Sequence, residues 1–243
     1  MKDTVFKLVS NREIARATFE MVLAGDTSEI TCPGGFVNIK LEGFYLRRPI
    51  SVCDVSGNTL TIIYKAVGAG TEALARMECG KELLVLTGLG NGYDLTKSGD
   101  RPLLIGGGAG VPPMYLLCKR LVAEGKRPSV ILGFGKRDEV FYEDKFRELG
   151  VDVTVTTVDG SYGVAGFVTD ALAGKDYTYF YTCGPEPMLK AVYDKTESSG
   201  QFSFEERMGC GFGACMGCTC KTKYGNKRIC RDGPVLVKEE IIW

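Results

Sequence analysis

Histidine is missing altogether from the 243 residues, and tryptophan occurs once. The first absence removes whole classes of chemistry: Ser-His and Cys-His hydrolases, most zinc hydrolases, and Rieske centres, whose iron takes imidazole ligands. Net charge is missing too. Thirty Lys and Arg balance thirty Asp and Glu, so no field of one sign recruits nucleic acid or an anionic membrane. Nor is there a long apolar run; each breaks within about ten residues, short of the ~20 that span a bilayer. The opening Met1-Lys-Asp-Thr-Val-Phe-Lys has no apolar stretch of signal-peptide type. With ten cysteines present, a reducing cytoplasm and metal ligation are expected rather than disulfides. Chemistry without imidazole is expected to be cofactor-borne, which suits hydride or electron transfer.

What the chain does have is a cysteine-rich last fifth. Cys210, Cys215, Cys218 and Cys230 are separated by four, two and eleven residues. The first three follow the plant-type ferredoxin order, with a fourth thiolate supplied further along, and this favours a 2Fe-2S centre. Gly209, Gly211, Gly213 and Gly217 surround them, and are expected to supply the positive φ angles and close approach that a backbone curled around a cluster needs. A zinc knot is the competing reading, but zinc sites use two C-x2-4-C knuckles, and only Cys215 and Cys218 form one. Cys220 is expected to be a packed thiol and Trp243 a terminal packing or interface residue.

Residues 1–97 read as short β-rich runs: Ile14–Leu23, Phe36–Leu41 and Thr59–Lys65, separated by Pro33-Gly-Gly and Ser56-Gly-Asn. That spacing predicts a small antiparallel barrel, interrupted by one short helix capped by Thr71. From Asp100 strands alternate with helices. Pro102–Ile105, Ser129–Leu132, Val151–Thr157 and Tyr177–Thr182 read as strands, and Met114–Glu124, Glu143–Leu149, Phe167–Ala173 and Pro187–Glu197 as the segments between and after them. The pattern predicts a parallel nucleotide-binding α/β layer, with Ser198–Gln201 a hinge into the tail.

Within that layer Gly106, Gly107, Gly108 and Gly110 follow a strand and open a helix, with Pro112 at its start. Small residues there admit a pyrophosphate to the backbone, and the helix start offers N–H donors and the positive end of its dipole. The spacing is not G-x-G-x-x-G. Cys183, Gly184 and Pro185 end the Tyr177–Thr182 strand, where ligands bind in open α/β sheets. Arg48, before Pro49, Ile50 and Ser51, offers a charged fork to a phosphate oxygen, though on the tetrapeptide alone an exposed strand arginine is the better reading.

These three pieces together resemble the ferredoxin reductase family. With the cysteine tail, the likeness over almost the whole chain narrows to the electron transfer subunits of dihydroorotate dehydrogenase B. The resemblance implies an FAD-binding barrel (1–97), a pyridine-nucleotide domain (98–200) and a 2Fe-2S segment (201–243). It implies that Arg48, Pro49, Ile50 and Ser51 contact the FAD pyrophosphate and flavin edge. Ile63, Tyr64 and Lys65 would line the flavin, and Gly70 and Thr71 would present N–H groups to the pyrophosphate. Cys210, Cys215, Cys218 and Cys230 would ligate iron. Ile50 stands where the wider family has an aromatic residue, so an aliphatic side chain would cover that side of the flavin.

The implied activity is oxidation of NADH at FAD, with electrons passed singly through the cluster. The acceptor would be an FMN-containing dihydroorotate dehydrogenase subunit of pyrimidine synthesis, assembled as two of each chain. Cys183 would shape the nicotinamide pocket in a crevice between barrel and α/β domain. The strand ending at Leu132 has no acidic residue at its tip for a ribose diol, and Lys136 and Arg137 could take a 2′-phosphate; the resemblance favours NADH. The alternative is a flavin and iron-sulfur subunit of another NAD(P)H:ferredoxin-type or sulfhydrogenase reductase.

Overall fold

Alternation of apolar and polar residues builds the first half. In β1 (Lys2–Ala15), Phe6 and Leu8 are buried while Val5 and Lys7 face out, the period-two pattern of a half-buried strand. β1 is followed by β2 (Thr18–Ala24), β3 (Phe36–Ile39), β4 (Arg48–Ser56), β5 (Thr59–Lys65), α1 (Ala69–Ala75) and β6 (Glu82–Leu89). The six strands close into an antiparallel barrel in the order β1-β2-β5-β4-β3-β6, as the spacing of turns predicts. The computed structural model describes residues 1–243.

Two local expectations are corrected, and one strand is added. The single run Ile14–Leu23 is two strands, because Ala17 turns the chain at φ 53 and β1 folds back on β2. Thr71 does not cap α1; Gly68 holds that position. Thr71 lies inside the first turn, where its hydroxyl accepts the N–H groups of Val67 (3.1 Å) and Gly68 (3.2 Å). The closing strand β6, between Gly80 and Gly90-Asn91-Gly92, was not among the strands read from the sequence.

The second half alternates as expected. It comprises β7 (Pro102–Gly107), α2 (Val111–Ala123), β8 (Ser129–Phe134), α3 (Glu143–Glu148), β9 (Asp152–Thr157), β10 (Val164–Ala165), β11 (Tyr179–Cys183) and α4 (Glu186–Lys195). Phe167–Ala173 forms turns rather than a helix; the Asp170 carboxylate accepts the Phe167 N–H at 2.7 Å and holds the chain in a turn. The tail adds β12 (Gly200–Ser203), β13 (Thr219–Thr222), β14 (Gly225–Arg228), α5 (Ile229–Asp232) and β15 (Val235–Val237). The main sheet runs β10-β9-β8-β7-β11-β12-β15. Its strands are parallel except β15, which pairs antiparallel with β12. The expected hinge at 198–201 is therefore partly strand: Gly200 and Gln201 belong to β12.

Hydrophobic packing ignores the division into halves. Only one cluster is essentially the barrel's own, built on Phe6, Met21, Ile39 and Leu60. A second places Cys53 and Ile63 of the barrel among Leu104, Leu117, Phe146 and Tyr181. A third joins Phe36, Leu86 and Leu89 to Ile105, Phe202 and the tail residues Ile229 and Leu236. A polar seam accompanies the second. Glu20, 7% exposed, accepts Arg12 Nε at 2.9 Å and Nη2 at 2.7 Å through one oxygen, and the Tyr142 hydroxyl at 2.7 Å through the other. Lys119 of α2 reaches both oxygens of Asp54 on β4 at 2.6 and 2.8 Å.

Replacing Tyr142 by Phe leaves one oxygen of a buried carboxylate without its donor. It is expected to cost about 2 kcal/mol of stability, read as a lower urea midpoint; an unchanged midpoint would show that the seam does not hold the two halves together.

Candidate functional site: a nucleotide crevice and a cysteine loop

A cavity of about 670 Å³ opens between the barrel and the carboxyl ends of the parallel strands, within the range of small-molecule sites. The barrel contributes Ile63, Tyr64 and Lys65 of β5, and the α/β layer contributes Gly107, Gly108 and the start of α4 at Pro185 and Met188. Local backbone explains the glycines. A side chain on Gly110 would lie 2.1 Å from the Cys183 carbonyl oxygen, so the turn entering α2 and the end of β11 touch only because Gly110 has no Cβ. Gly107 and Gly184 make similar room for Met188.

Lys65 and Glu139 are the charged residues lining this cavity, and they form an ion pair across it at 3.0 Å. Glu139 also accepts the Gly135 N–H at 3.0 Å. Its carboxyl is held below the usual range chiefly by the hydrogen bond from Lys65. Sequence reasoning missed it. The tip of β8 lacks an acid, but a 3₁₀ turn at Arg137–Glu139 returns this carboxylate to Gly135 four residues back. Lys136 and Arg137 do not line the cavity, and the Arg137 guanidinium instead sits over the Tyr162 ring.

Arg48 lies apart from the cavity lining and meets another expected residue. A side chain on Gly70 would fall 2.0 Å from Arg48 Nε, so the guanidinium rests on the first turn of α1. Arg48 is fixed there by Nη1 donating to the Leu46 carbonyl at 2.6 Å and by packing over the Phe44 ring. A permanently charged fork beside a helix start suits a phosphate group. Cys183 is buried at 2% exposure and does not line the cavity. Burial pushes its thiol up to about 12, so it is neutral at ordinary pH and no nucleophile.

The cysteine loop is shaped by N–H groups aimed at sulfur. Cys210 Sγ accepts from Ala214 (3.2 Å), Phe212 (3.5 Å) and Cys215 (3.5 Å), while Cys215 Sγ accepts from Cys210 N and Cys218 Sγ from Cys230 N. Burial raises the Cys210 thiol, but these donors outweigh it and bring it down to about 6. Backbone donors link the sulfurs pairwise: the Cys210 and Cys215 N–H groups each meet the other's Sγ, and the Cys230 N–H meets Cys218 Sγ. N–H groups aimed at the sulfurs fit the ligand set of an iron-sulfur centre. Gly211 and Gly213 have the expected positive φ, joined by Met216, whereas Gly209 and Gly217 do not. Gly209 makes room for Cys215 Sγ, which a side chain there would meet at 3.2 Å, whereas at Gly217 a side chain would be in ordinary contact at 3.6 Å. Arg228 closes the loop by bonding Asp232 and the Gly213 carbonyl.

The structure thus gathers Ile63, Tyr64, Lys65, Gly107, Gly108 and Pro185 at one cavity. It sets Arg48 on Gly70 and brings the four cysteines into one loop, while Cys183 and Gly110 stand just behind the cavity wall.

Residues 205–242 match the family described as the iron-sulfur cluster binding domain of dihydroorotate dehydrogenase B, and residues 104–194 match the oxidoreductase NAD-binding domain. The chain is 46% identical to the dihydroorotate dehydrogenase B (NAD(+)) electron transfer subunit of Bacillus mycoides, over 97% of this chain and 96% of that one. It is 43% identical to the subunit of the same name from Shouchella clausii, with the same coverage. Among solved structures, an NADH-dependent reduced ferredoxin-NADP oxidoreductase superposes with TM-score 0.89 at 29% identity, over 98% of this chain and 90% of that one. A flavohem-like FAD/NAD-binding domain from Vibrio cholerae, at 19% identity and TM-score 0.70 over 80% of this chain and 92% of that one, shares the fold.

Gly110→Ala is expected to destabilise the chain by about 3 kcal/mol, because the added methyl meets backbone rather than a movable side chain. A thermal midpoint equal to that of the unsubstituted protein would refute the close contact with β11.

Proposed function

This chain belongs to the family of dihydroorotate dehydrogenase B electron transfer subunits, and on that premise we propose that it takes electrons from NADH and delivers them singly to an FMN-bearing partner that oxidises dihydroorotate. It is an oxidoreductase component with an NAD-binding domain and an iron-sulfur domain. When bound, FAD accepts hydride and the 2Fe-2S cluster relays electrons one at a time.

One observation carries the reading: the motif strand β4 lies between the crevice and the cysteine loop. β5 lines the cavity and pairs with β4; β4 pairs with β3; and Asn38 on β3 hydrogen-bonds the Cys210 carbonyl. A flavin held on β4 and β5 is thereby next to both. Arg48 would bind the FAD pyrophosphate with the Gly70 and Thr71 amides, while Pro49, Ile50 and Ser51 would contact the isoalloxazine together with Ile63, Tyr64 and Lys65. Gly106, Gly107, Gly108 and Gly110 would admit the NADH pyrophosphate, with Gly184 and Pro185 facing it. Cys183, neutral and packed behind the wall, would shape the nicotinamide end of the pocket. Cys210, Cys215, Cys218 and Cys230 would hold iron, two thiolates to each atom. The proposed division is 1–97 for FAD, 98–200 for NADH and 201–243 for the cluster. The partner would be the dihydroorotate-oxidising subunit, two copies of each chain, in the cytoplasm; no helix here is long and apolar enough to cross a membrane.

The reading as a subunit of another ferredoxin-linked reductase has the 29%-identical structure in its favour. The sequence relatives at 43–46% identity over nearly the whole chain favour the first.

Cys215→Ser should abolish electron delivery to the partner while leaving NADH oxidation by artificial acceptors near the original rate, measured side by side on the assembled complex. Full-rate delivery by that variant would take the cluster off the path. The complex should also form orotate from dihydroorotate; a chain that copurifies instead with a ferredoxin-reducing partner and supports no orotate formation would favour the other reductase.

A further inference from the structure

We infer that two barrel asparagines, Asn38 and Asn91, are positioning residues that hold the two ends of the cysteine loop and thereby set its distance from β4. The inference rests on the cofactor reading above and goes beyond it, since neither residue touches the cavity or supplies a thiolate.

Asn38 sits in β3 between Val37 and Ile39, which point into the barrel core, so its own side chain lies on the outer face with Phe36. It is 1% exposed. Its Nδ2 donates to the Cys210 carbonyl at 3.3 Å, and the contact is tight: a side chain on Gly211 would lie 2.3 Å from that nitrogen. Asn38 Oδ1 is buried without a partner. A buried polar side chain is kept at a cost, and here the one bond it makes is to the first cysteine of the loop. In the strand register Asn38 faces Pro49 of the Arg48–Ser51 motif.

Asn91 stands just past β6 and works on the other end. Its backbone N–H donates to the Gly233 carbonyl at 2.7 Å. Its Nδ2 donates to the Val235 carbonyl at 2.8 Å and its Oδ1 accepts the Val235 N–H at 3.1 Å. An amide side chain offers both a donor and an acceptor, so Asn91 imitates one rung of strand pairing where no barrel strand continues. The last cysteine, Cys230, is five residues before Val235. The two anchors lie close on the barrel, since β3 pairs with β6, Asn38 lies opposite Leu86, and Asn91 follows two residues after the end of β6. First and last cysteines are thus referenced to the same patch of barrel that carries the flavin motif.

The test uses the complete two-subunit complex with Asn38→Ala, Asn91→Ala and the double variant, loaded with iron and flavin. Amide hydrogen exchange at Val235 should speed by about tenfold or more in Asn91→Ala. In the double variant, rapid-mixing traces should show flavin reduction by NADH within about twofold of the original, with unchanged KM for NADH, while cluster reduction slows about tenfold. A merely structural role would move all of these together or none. Should the double variant shed iron, Asn91→Asp, which keeps the acceptor for Val235 N–H, carries the rate measurement. Original exchange and cluster-reduction rates in the variants would overturn the inference; an unsubstituted chain that holds neither iron nor flavin would overturn the cofactor reading instead.

Discussion

The pairing of β15 with β12 is the constraint on which the functional arrangement depends. β12 continues the parallel sheet beside β11, and β15 returns antiparallel to it. Everything between them, Phe204 to Pro234, is an excursion from one sheet edge, and it contains Cys210, Cys215, Cys218 and Cys230. Tying both ends of a long loop to one edge removes most of its freedom. The remaining freedom is taken up by Arg228, which bonds the Gly213 carbonyl, and by the two asparagines of the barrel. The thiols are consequently oriented by backbone already in place, with N–H groups directed at Cys210 before any metal is considered.

Much of this was legible in the sequence because it is written locally. The spacing of Cys210, Cys215, Cys218 and Cys230, the Gly106–Gly110 turn and the period of Thr59–Lys65 each depend on neighbours only a few residues away. What was not legible depends on distant partners. Glu139 reaches the cavity only because a 3₁₀ turn folds it onto Gly135 and Lys65 comes from another part of the chain. Asn38 reads as a polar interruption in an apolar strand until the tail covers it. The misassigned Phe167–Ala173 has helical composition, yet Asp170 captures the Phe167 N–H and the segment settles into turns. Gly209 shows the same limit: its type was informative, but the reason is room for a sulfur rather than a backbone angle.

The lack of histidine also acquires a structural counterpart. The cavity is lined largely by glycine, aliphatic and aromatic groups, with one ion pair that is satisfied within the protein. Cys183, at the end of β11 against Gly110, is kept protonated by burial. Burial raises the Tyr64 hydroxyl, and the hydrogen bond from Lys65 holds the Glu139 carboxyl below its usual range. Such a surface orients bound groups and excludes water while leaving bond-making to them.

Two of the three hydrophobic clusters run across the junction between barrel and α/β layer, one through Cys53 and Ile63, the other through Phe36, Leu86 and Leu89. A chain built from two recognisable folds would ordinarily melt in two steps. Here neither half keeps a complete interior when the other is removed, so heat should disrupt them in a single calorimetric transition, and excised halves would be poor objects for separate study.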